Sequence, residues 1–316
     1  MIFKKKRKKT QRPWHSQFWG LHAKPSKISS TILSAIPFTL LIAIYIIAST
    51  LRHSANPDDK LLPTVMQMLE AIKLFTYNQD ELLGGSFFQW LWNPKILPQL
   101  RQFVTAFIYS DFVQDTFSSF IRIFCGLTLS TILGLLVGLN MGLFAGFRDL
   151  LKPTTVVVSN IPPLAVLPIL LIVFQVGEMS KIMLIFIGTF PVITMSVYFA
   201  VKAIPWEVII KSLTLGASEF GVTYRVILPR IMPNLLNTVS LTLGAAWLFL
   251  ISAEAIAATS GLGYRIFLVR RYLMMDIIIP YVLWITFLAY QITKIISRFI
   301  SKHYRWFDAQ NGGLRK

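Results

Sequence analysis

KAIPWEVIIKSLTLGASEFGVTYRVILPR, residues 202–230, is a polar, basic window between two long apolar runs. No charge occurs between Lys181 and Lys202 on one side or between Arg230 and Glu254 on the other. A helix rises about 1.5 Å per residue and the hydrocarbon layer is roughly 30 Å thick, so about 20 apolar residues cross it. Both flanks meet that length, and the window is a water-facing loop between two membrane-crossing helices. Pro205 suits a first helical turn, where its missing N–H is not needed. Trp206 to Leu215 is expected as a short helix, and Gly216 as a sharp reversal through positive φ or close backbone approach. A second helix is expected from Ser218, with Phe220, Tyr224, Ile227 and Leu228 on one stripe. Pro229 and Pro233 are expected to interrupt regular helix at the entry to the next span. The result is a helix-turn-helix across the membrane surface, more apolar than a mere connection requires.

The same test, moved outward, finds charge-free runs between Lys27 and Arg52, Arg122 and Arg148, Lys152 and Glu178, and Asp276 and Lys294. The last is the shortest, and Lys294 at its end can snorkel to the interface. The fold class is therefore an all-α integral membrane protein with six transmembrane helices. Composition agrees: 14% of the 316 residues are charged and the mean hydropathy is +0.61, where a soluble domain has about 25% charged residues. The first run is too long for a signal-peptide core of about 7–15 residues, and no small-residue cleavage site follows it, so Met1–Lys27 is expected to stay attached.

Six spans put both termini on one side. That side holds nine Lys and Arg before the first span, two in 148–152, four in 202–230 and six after the last span: 21 of the 31. The other ten face ten acids, so the whole net charge of +17 lies on one face, which the positive-inside rule makes cytoplasmic. The run KKKRKK at Lys4–Lys9 fits a topology signal touching anionic headgroups, with no nucleic acid involved. Cys125 lies within a span, with no partner for a disulfide and no soft ligands for a metal. The chain contains no Gly, four residues, Gly-Lys-Ser/Thr phosphate loop and has no room for a nucleotide-binding domain. It is not expected to be an enzyme, and no catalytic residue is assigned.

Five regions follow: a basic tail at 1–27, the first transmembrane helix at 28–51, an external or interfacial segment at 52–114, a five-helix core at 115–307 containing the 202–230 loop, and a tail at 308–316. In the external segment Val65, Met68, Leu69, Ile72 and Phe75 recur at helical steps, so Leu62–Tyr77 is expected as an amphipathic helix with Pro63 in its first turn. Phe87, Phe88, Trp90, Leu91 and Trp92 form an aromatic cluster suited to the membrane–water boundary or to an extracytoplasmic partner.

LTLGASEFGVTYRVILP resembles the EAA loop of bacterial ABC importer permeases. Gly216, Val226, Leu228 and Pro229 match its spacing, whereas Ile210, Lys211 and Ser212 stand where the leading Glu-Ala-Ala is expected, and Glu207 lies three positions early. FSSFIRIFCGLTLSTILGLLVGL, SNIPPLAVLPILLIVFQVGEMSK, SAEAIAATSGLGYRIF and LLPTVMQML resemble segments of the nitrate/sulfonate/taurine permeases. The segment Asn78–Ser110 is longer than that pattern. The resemblance implies a type I (MetI-like) ABC importer core with a cytoplasmic coupling helix in the EAA loop, in a bacterial inner membrane with both termini cytoplasmic. It implies a second permease copy, cytoplasmic ATPase subunits that hold ATP and Mg²⁺, and a periplasmic solute-binding protein; this chain needs no cofactor. It implies an ATPase socket at Leu213, Thr214, Leu215, Gly216, Ala217 and Ser218, with Phe220 and Tyr224 bracing it against the spans. Transport follows by alternating access. The solute is a nitrate-, sulfonate-, taurine- or bicarbonate-like anion, or a small amide or guanidine compound to which AWLFLISAEAIAATSGLGYRIFLVRRYLMMDIIIPY points. The alternative is a secondary transporter or channel without an ATPase; ion-free span interiors and the lack of an inverted repeat argue against it.

A charge at a helix centre costs about 2.5–3.5 kcal/mol on insertion scales, so intramembrane charges mark function. None lies inside a span here. Candidates sit at the outer ends: Arg122, Glu178, Glu254, Arg265, Arg270, Arg271 and Asp276. If Ala255–Leu262 continues inside the protein, Glu254 lies deep and needs a partner, for which Arg265 is the choice; otherwise it is a charge at the headgroups. Arg270 and Arg271 either draw an anion to the pore mouth or are ordinary interfacial arginines. Pro162, Pro163 and Pro168 break the third span, and Ser159 and Asn160 before the break either face a solute path or pack between helices. Gly126, Gly134, Gly138 and Gly142 have close-packing spacing.

Overall fold

The structure, a computed structural model, describes residues 27–56, 60–76 and 110–310. Every regular element among them is helical: α1 Lys27–Ala55, α2 Val65–Thr76, α3 Asp111–Leu143, α4 Ala145–Ser159, α5 Pro163–Phe174, α6 Glu178–Lys202, α7 Trp206–Thr214, α8 Glu219–Val222, a π-helical turn Thr223–Ile227, α9 Leu228–Ala257, α10 Leu262–Arg270, α11 Met275–His303 and α12 Arg305–Gln310. The chain divides into two units, Met1–Val65 and Met66–Lys316. The expected tail before Lys27, the long Asn78–Ser110 stretch with its aromatic cluster, and most of the 308–316 tail lie outside the described residues.

In the first unit, α1 leaves apolar side chains such as Leu33, Phe38 and Leu41 uncovered, as lipid allows. Pro63 is not in the first turn of a helix. It precedes α2, and its buried carbonyl accepts hydrogen bonds from the Tyr45 hydroxyl at 2.7 Å and from Ser49 Oγ at 3.2 Å. Those donors fold the chain back onto the end of α1 and delay the helix to Val65.

Five helices are long and apolar enough to cross a membrane, or six if a bent pair counts as one span. The pair is α4 and α5, bent by 98° at the break before Pro163. Pro162 and Pro163 lack the N–H groups that a continuous helix needs there, so the third expected span is an angular two-piece element. The five-helix core starts at Asp111, ahead of the expected Asp115, because Ser110 caps α3 by accepting from the Val113 N–H.

The second unit is built around α3 against α6. A Cβ on Gly126 would meet Ile185 at 2.8 Å, one on Gly138 the Thr194 carbonyl at 2.5 Å, and one on Gly142 Val201 at 2.6 Å. The glycines therefore let the two backbones touch, and the buried Thr189 hydroxyl donates to Ser130 Oγ at 2.7 Å across the same seam. Leu184, Ile185, Leu243, Trp247, Leu250 and Leu262 fill one apolar core, and Ile193, Val197, Val222, Ile227 and Ile231 a second.

Pro229 and Pro233 do not stop the helix. From Glu219 to Ala257 the chain runs as one helical rod of 39 residues. The irregularity lies just before Pro229, where the Leu228 N–H reaches back to the Thr223 carbonyl, an i→i−5 bond that widens one turn.

Candidate functional site

The 202–230 loop forms α7, a reversal and the rod. Pro205 caps α7 with φ −59°. After Thr214 the Ala217 N–H bonds the Ser212 carbonyl at 3.1 Å and the Gly216 N–H bonds the Leu213 carbonyl at 2.9 Å. That bond pair is a Schellman closure, which places its C′ residue in the left-handed region; Gly216 has φ +84°. Ser218 then caps the rod by accepting from the Gly221 N–H at 3.1 Å.

The elbow is open. Leu215 is 86% exposed and Leu213 42%, and no residue of α7 is buried. Beside it lies a cleft of about 610 Å³ lined by Ser212, Leu215, Gly216, Ser218, Phe220, Tyr224 and Arg225, among others. The Phe220 and Tyr224 rings meet at a tilt of 38° with centroids 4.3 Å apart, yet they are 71% and 47% exposed. They do not brace the loop against the spans, and this corrects the sequence expectation. The bracing residues are Val222, Ile227 and Ile231, all buried. The five-residue step from Val222 to Ile227 spans the π turn, which rotates the apolar stripe away from the register a regular helix gives.

At the other end of the rod, Glu254 is fully buried. Its partner is not Arg265 but Arg122 on α3: Nη1 donates to Glu254 Oε1 at 2.6 Å. Arg122 Nε and Nη2 also donate to both Glu178 oxygens at 2.5 and 2.8 Å, and Nη1 reaches the Ser260 carbonyl at 2.7 Å. Glu254 further accepts from Ser119 Oγ at 2.8 Å and from the Gly263 N–H at 2.8 Å. Lys181 donates to Glu178 at 2.9 Å. One guanidinium thus joins α3, α6, α9 and the 258–261 turn. Gly261, at φ +128°, is part of the fit, because a Cβ there would lie 2.5 Å from Glu254 Cδ and 2.6 Å from Arg122 Nη1.

Arg265 belongs to a neighbouring group. Its Nε donates to Asp115 at 2.8 Å and Nη2 lies 3.1 Å from Asp111, while Asp115 also accepts from the Gly261 N–H at 2.7 Å. Burial works against the Arg265 charge, but the Asp115 hydrogen bond and the two carboxylates outweigh it and hold the guanidinium above its ordinary pKa. Asp115, Ser119 and Lys181 were not singled out from sequence. The signal was present: Asp115, Ser119 and Arg122 fall at i, i+4 and i+7, one polar face on an otherwise apolar helix.

The other candidates do not join this cluster. Ser159 and Asn160 are exposed at the α4–α5 bend, and both donate to the Val156 carbonyl, at 2.7 and 3.0 Å. Arg270 lies over the Phe267 ring at 5.4 Å, away from Glu254. Among the described residues no group of three or more His, Cys, Asp or Glu is placed to hold a metal.

The description "binding-protein-dependent transport system inner membrane component" matches residues 130–305, from the α3–α6 seam through the open elbow to the end of α11. The chain belongs to that family. The taurine transport system permease protein TauC of Escherichia coli (strain K12) is 35% identical over 185 residues, 58% of this chain and 67% of that protein. A putative aliphatic sulfonates transport permease, SsuC of Bacillus subtilis (strain 168), is 32% identical over 148 residues, 46% of this chain and 54% of that protein. The inward-facing MetNI methionine ABC transporter shares the fold, with a TM-score of 0.50 and 21% identity over 60% of this chain and 97% of that one. This permease is the membrane-spanning component of an ABC importer, itself without enzymatic activity, and ATP hydrolysis falls to a separate subunit.

Proposed function

We propose that the permease carries a small sulfonate-like oxyanion into the cell, driven by an ATPase that grips the Leu213–Ser218 elbow from the cytoplasm. The exposure of Leu215 carries this reading. An 86% exposed leucine on a hydrogen-bonded, glycine-closed turn is a rigid apolar knob, suited to a protein socket. Phe220 and Tyr224 supply the aromatic wall of the adjoining cleft. The permease pairs with a second copy of itself and receives solute from a binding protein on the opposite face, with both termini cytoplasmic as the charge asymmetry directs. ATP-driven closure of the ATPases moves α7 and the rod together, and the packed spans shift between inward- and outward-facing arrangements. The oxyanion class is supported by relatives named for taurine and aliphatic sulfonates; the amide and guanidine alternatives have no comparable support.

The test is a detergent pull-down followed by uptake into proteoliposomes. The ATPase is expected to copurify, to be lost on Leu215→Asp, and to be required for sulfonate uptake. Full uptake in vesicles free of any ATPase overturns the proposal.

A further inference from the structure

A second cleft, of about 270 Å³, is lined by Ala255, Tyr264, Phe267, Leu268, Arg270 and Arg271. It lies between the end of α9 and α10, at the end of the rod remote from the elbow. Its charge is unbalanced. In the ion cluster Arg122, Lys181 and Arg265 each hold a carboxylate, whereas Arg270 and Arg271 form no ion pair with any described residue. Arg270 is steadied by the Phe267 ring beneath it. The turn that follows is tight: Leu273 takes φ +56°, rare for a bulky residue, and its N–H bonds the Arg270 carbonyl at 3.1 Å. The arginine pair is therefore set on a constrained backbone rather than on a free loop.

We infer that this cleft is a receiving site for a small organic oxyanion, with the Arg270 and Arg271 guanidiniums on the oxygens and Ala255, Phe267 and Leu268 on its short apolar body. Guanidinium groups match planar and trigonal oxyanions with paired N–H donors. Tyr264 adds a hydroxyl on the same wall. The volume is just below the usual range of small-molecule pockets, about 300–1,000 Å³, and suits a solute of few atoms rather than a peptide. The cleft also leads somewhere. Ala255 tops a stripe on α9 that continues through Ser252, Leu248, Ala245, Gly244 and Leu241 at helical spacing; the last four are exposed and the first two half-buried. No described element covers that face, so a solute leaving the arginines meets a track along the rod in which the small Ser252, Ala245 and Gly244 alternate with the exposed Leu248 and Leu241. This assignment rests on the oxyanion-import reading above, but its test needs neither ATPase nor uptake.

Saturation-transfer NMR on the full-length chain in detergent, with ethanesulfonate as probe and ethylammonium as control, reads the site directly. Ethanesulfonate is expected to bind and ethylammonium not. Arg270→Gln/Arg271→Gln is expected to weaken binding at least tenfold, each single variant less, with unchanged unfolding temperature and elution volume. If the double variant is unstable, the single variants decide. Absence of ethanesulfonate binding, or equal binding by the variants, overturns the site, as when the arginines serve only to meet an acidic surface of the binding protein. Loss of binding in the variants while wild-type vesicles take up no sulfonate instead overturns the import reading and leaves the site standing.

Discussion

Replacing Arg122 by Gln is expected to cost more stability than any other single change in the ion cluster. The side chain is 4% exposed and faces Glu254, which is fully buried, and Glu178, which is 60% exposed. Removing one partner of a buried pair costs about 3–5 kcal/mol, because the other charge stays buried and uncompensated. Glu254→Gln is milder. The guanidinium remains paired with both Glu178 oxygens, and the loss is confined to hydrogen bonding. Glu254 has two acceptor oxygens facing donors from Ser119, Arg122 and Gly263. A glutamine offers one oxygen and one NH₂, so either Arg122 or Gly263 meets a donor, at about 1–3 kcal/mol. Glu178→Gln acts on a carboxylate that is itself 60% exposed but is the partner of Lys181, 3% exposed, so a cost of about 1–3 kcal/mol is expected. Arg122→Gln is expected to cost the most, with Glu254→Gln and Glu178→Gln both below it. The double variant Arg122→Gln/Glu254→Gln is expected to cost less than the sum of its parts, since the second change removes the orphaned charge created by the first. Denaturant titration in mixed micelles reads all four. Strict additivity, or a Glu178→Gln loss equal to that of Arg122→Gln, refutes the reasoning.

Gly216→Val places a branched residue at φ +84°, where strain of about 1–3 kcal/mol is expected, and copurification should show the ATPase released while the spans remain folded. Gly138→Leu drives a side chain into the Thr194 carbonyl, so size-exclusion profiles are expected to show aggregated or lost protein; Gly146→Ala, with nothing within 4 Å, is expected to leave them unchanged. Uptake by Glu254→Gln is expected to fall with the ATPase still attached, because the lesion lies far from the elbow; normal transport by that variant makes the cluster a structural tie alone.

The membrane class, the number of apolar runs and the Gly216 reversal were legible because each is local. Charge-free length reads out one helix at a time, and a glycine closing a helix needs only its own neighbours. The proline break before Pro163 was legible for the same reason, though its 98° angle was not, since the packing of α5 on α6 sets the angle. Two readings failed for want of long-range information. Glu254 was paired with Arg265 because they are close in sequence, but the true partner lies 132 residues away. Phe220 and Tyr224 were placed inward by assuming 3.6 residues per turn, and the π turn at Thr223–Ile227 breaks that count.

The continuity of the rod decides how these two ends act together. At about 1.5 Å per residue, the 39 residues from Glu219 to Ala257 span roughly 58 Å and run from the Ser218 cap beside the elbow to Glu254 inside the ion cluster. The far end is held by the charge-assisted bond from Arg122 on α3 to Glu254, with Arg122 in turn held by Glu178 on α6, whereas the near end is held by the apolar contacts of Val222, Ile227 and Ile231. Apolar contacts slide at little cost and directional ion pairs do not. A push at Leu215 is therefore expected to pivot the rod about Arg122, with the widened turn at Thr223–Ile227 as the place where bending is absorbed. Restoring a regular turn there, by deleting one residue between Thr223 and Val226, is expected to stiffen that joint and uncouple ATP hydrolysis from uptake while both partners still assemble. Unaltered coupling in the deletion variant would show that motion enters the spans by another route.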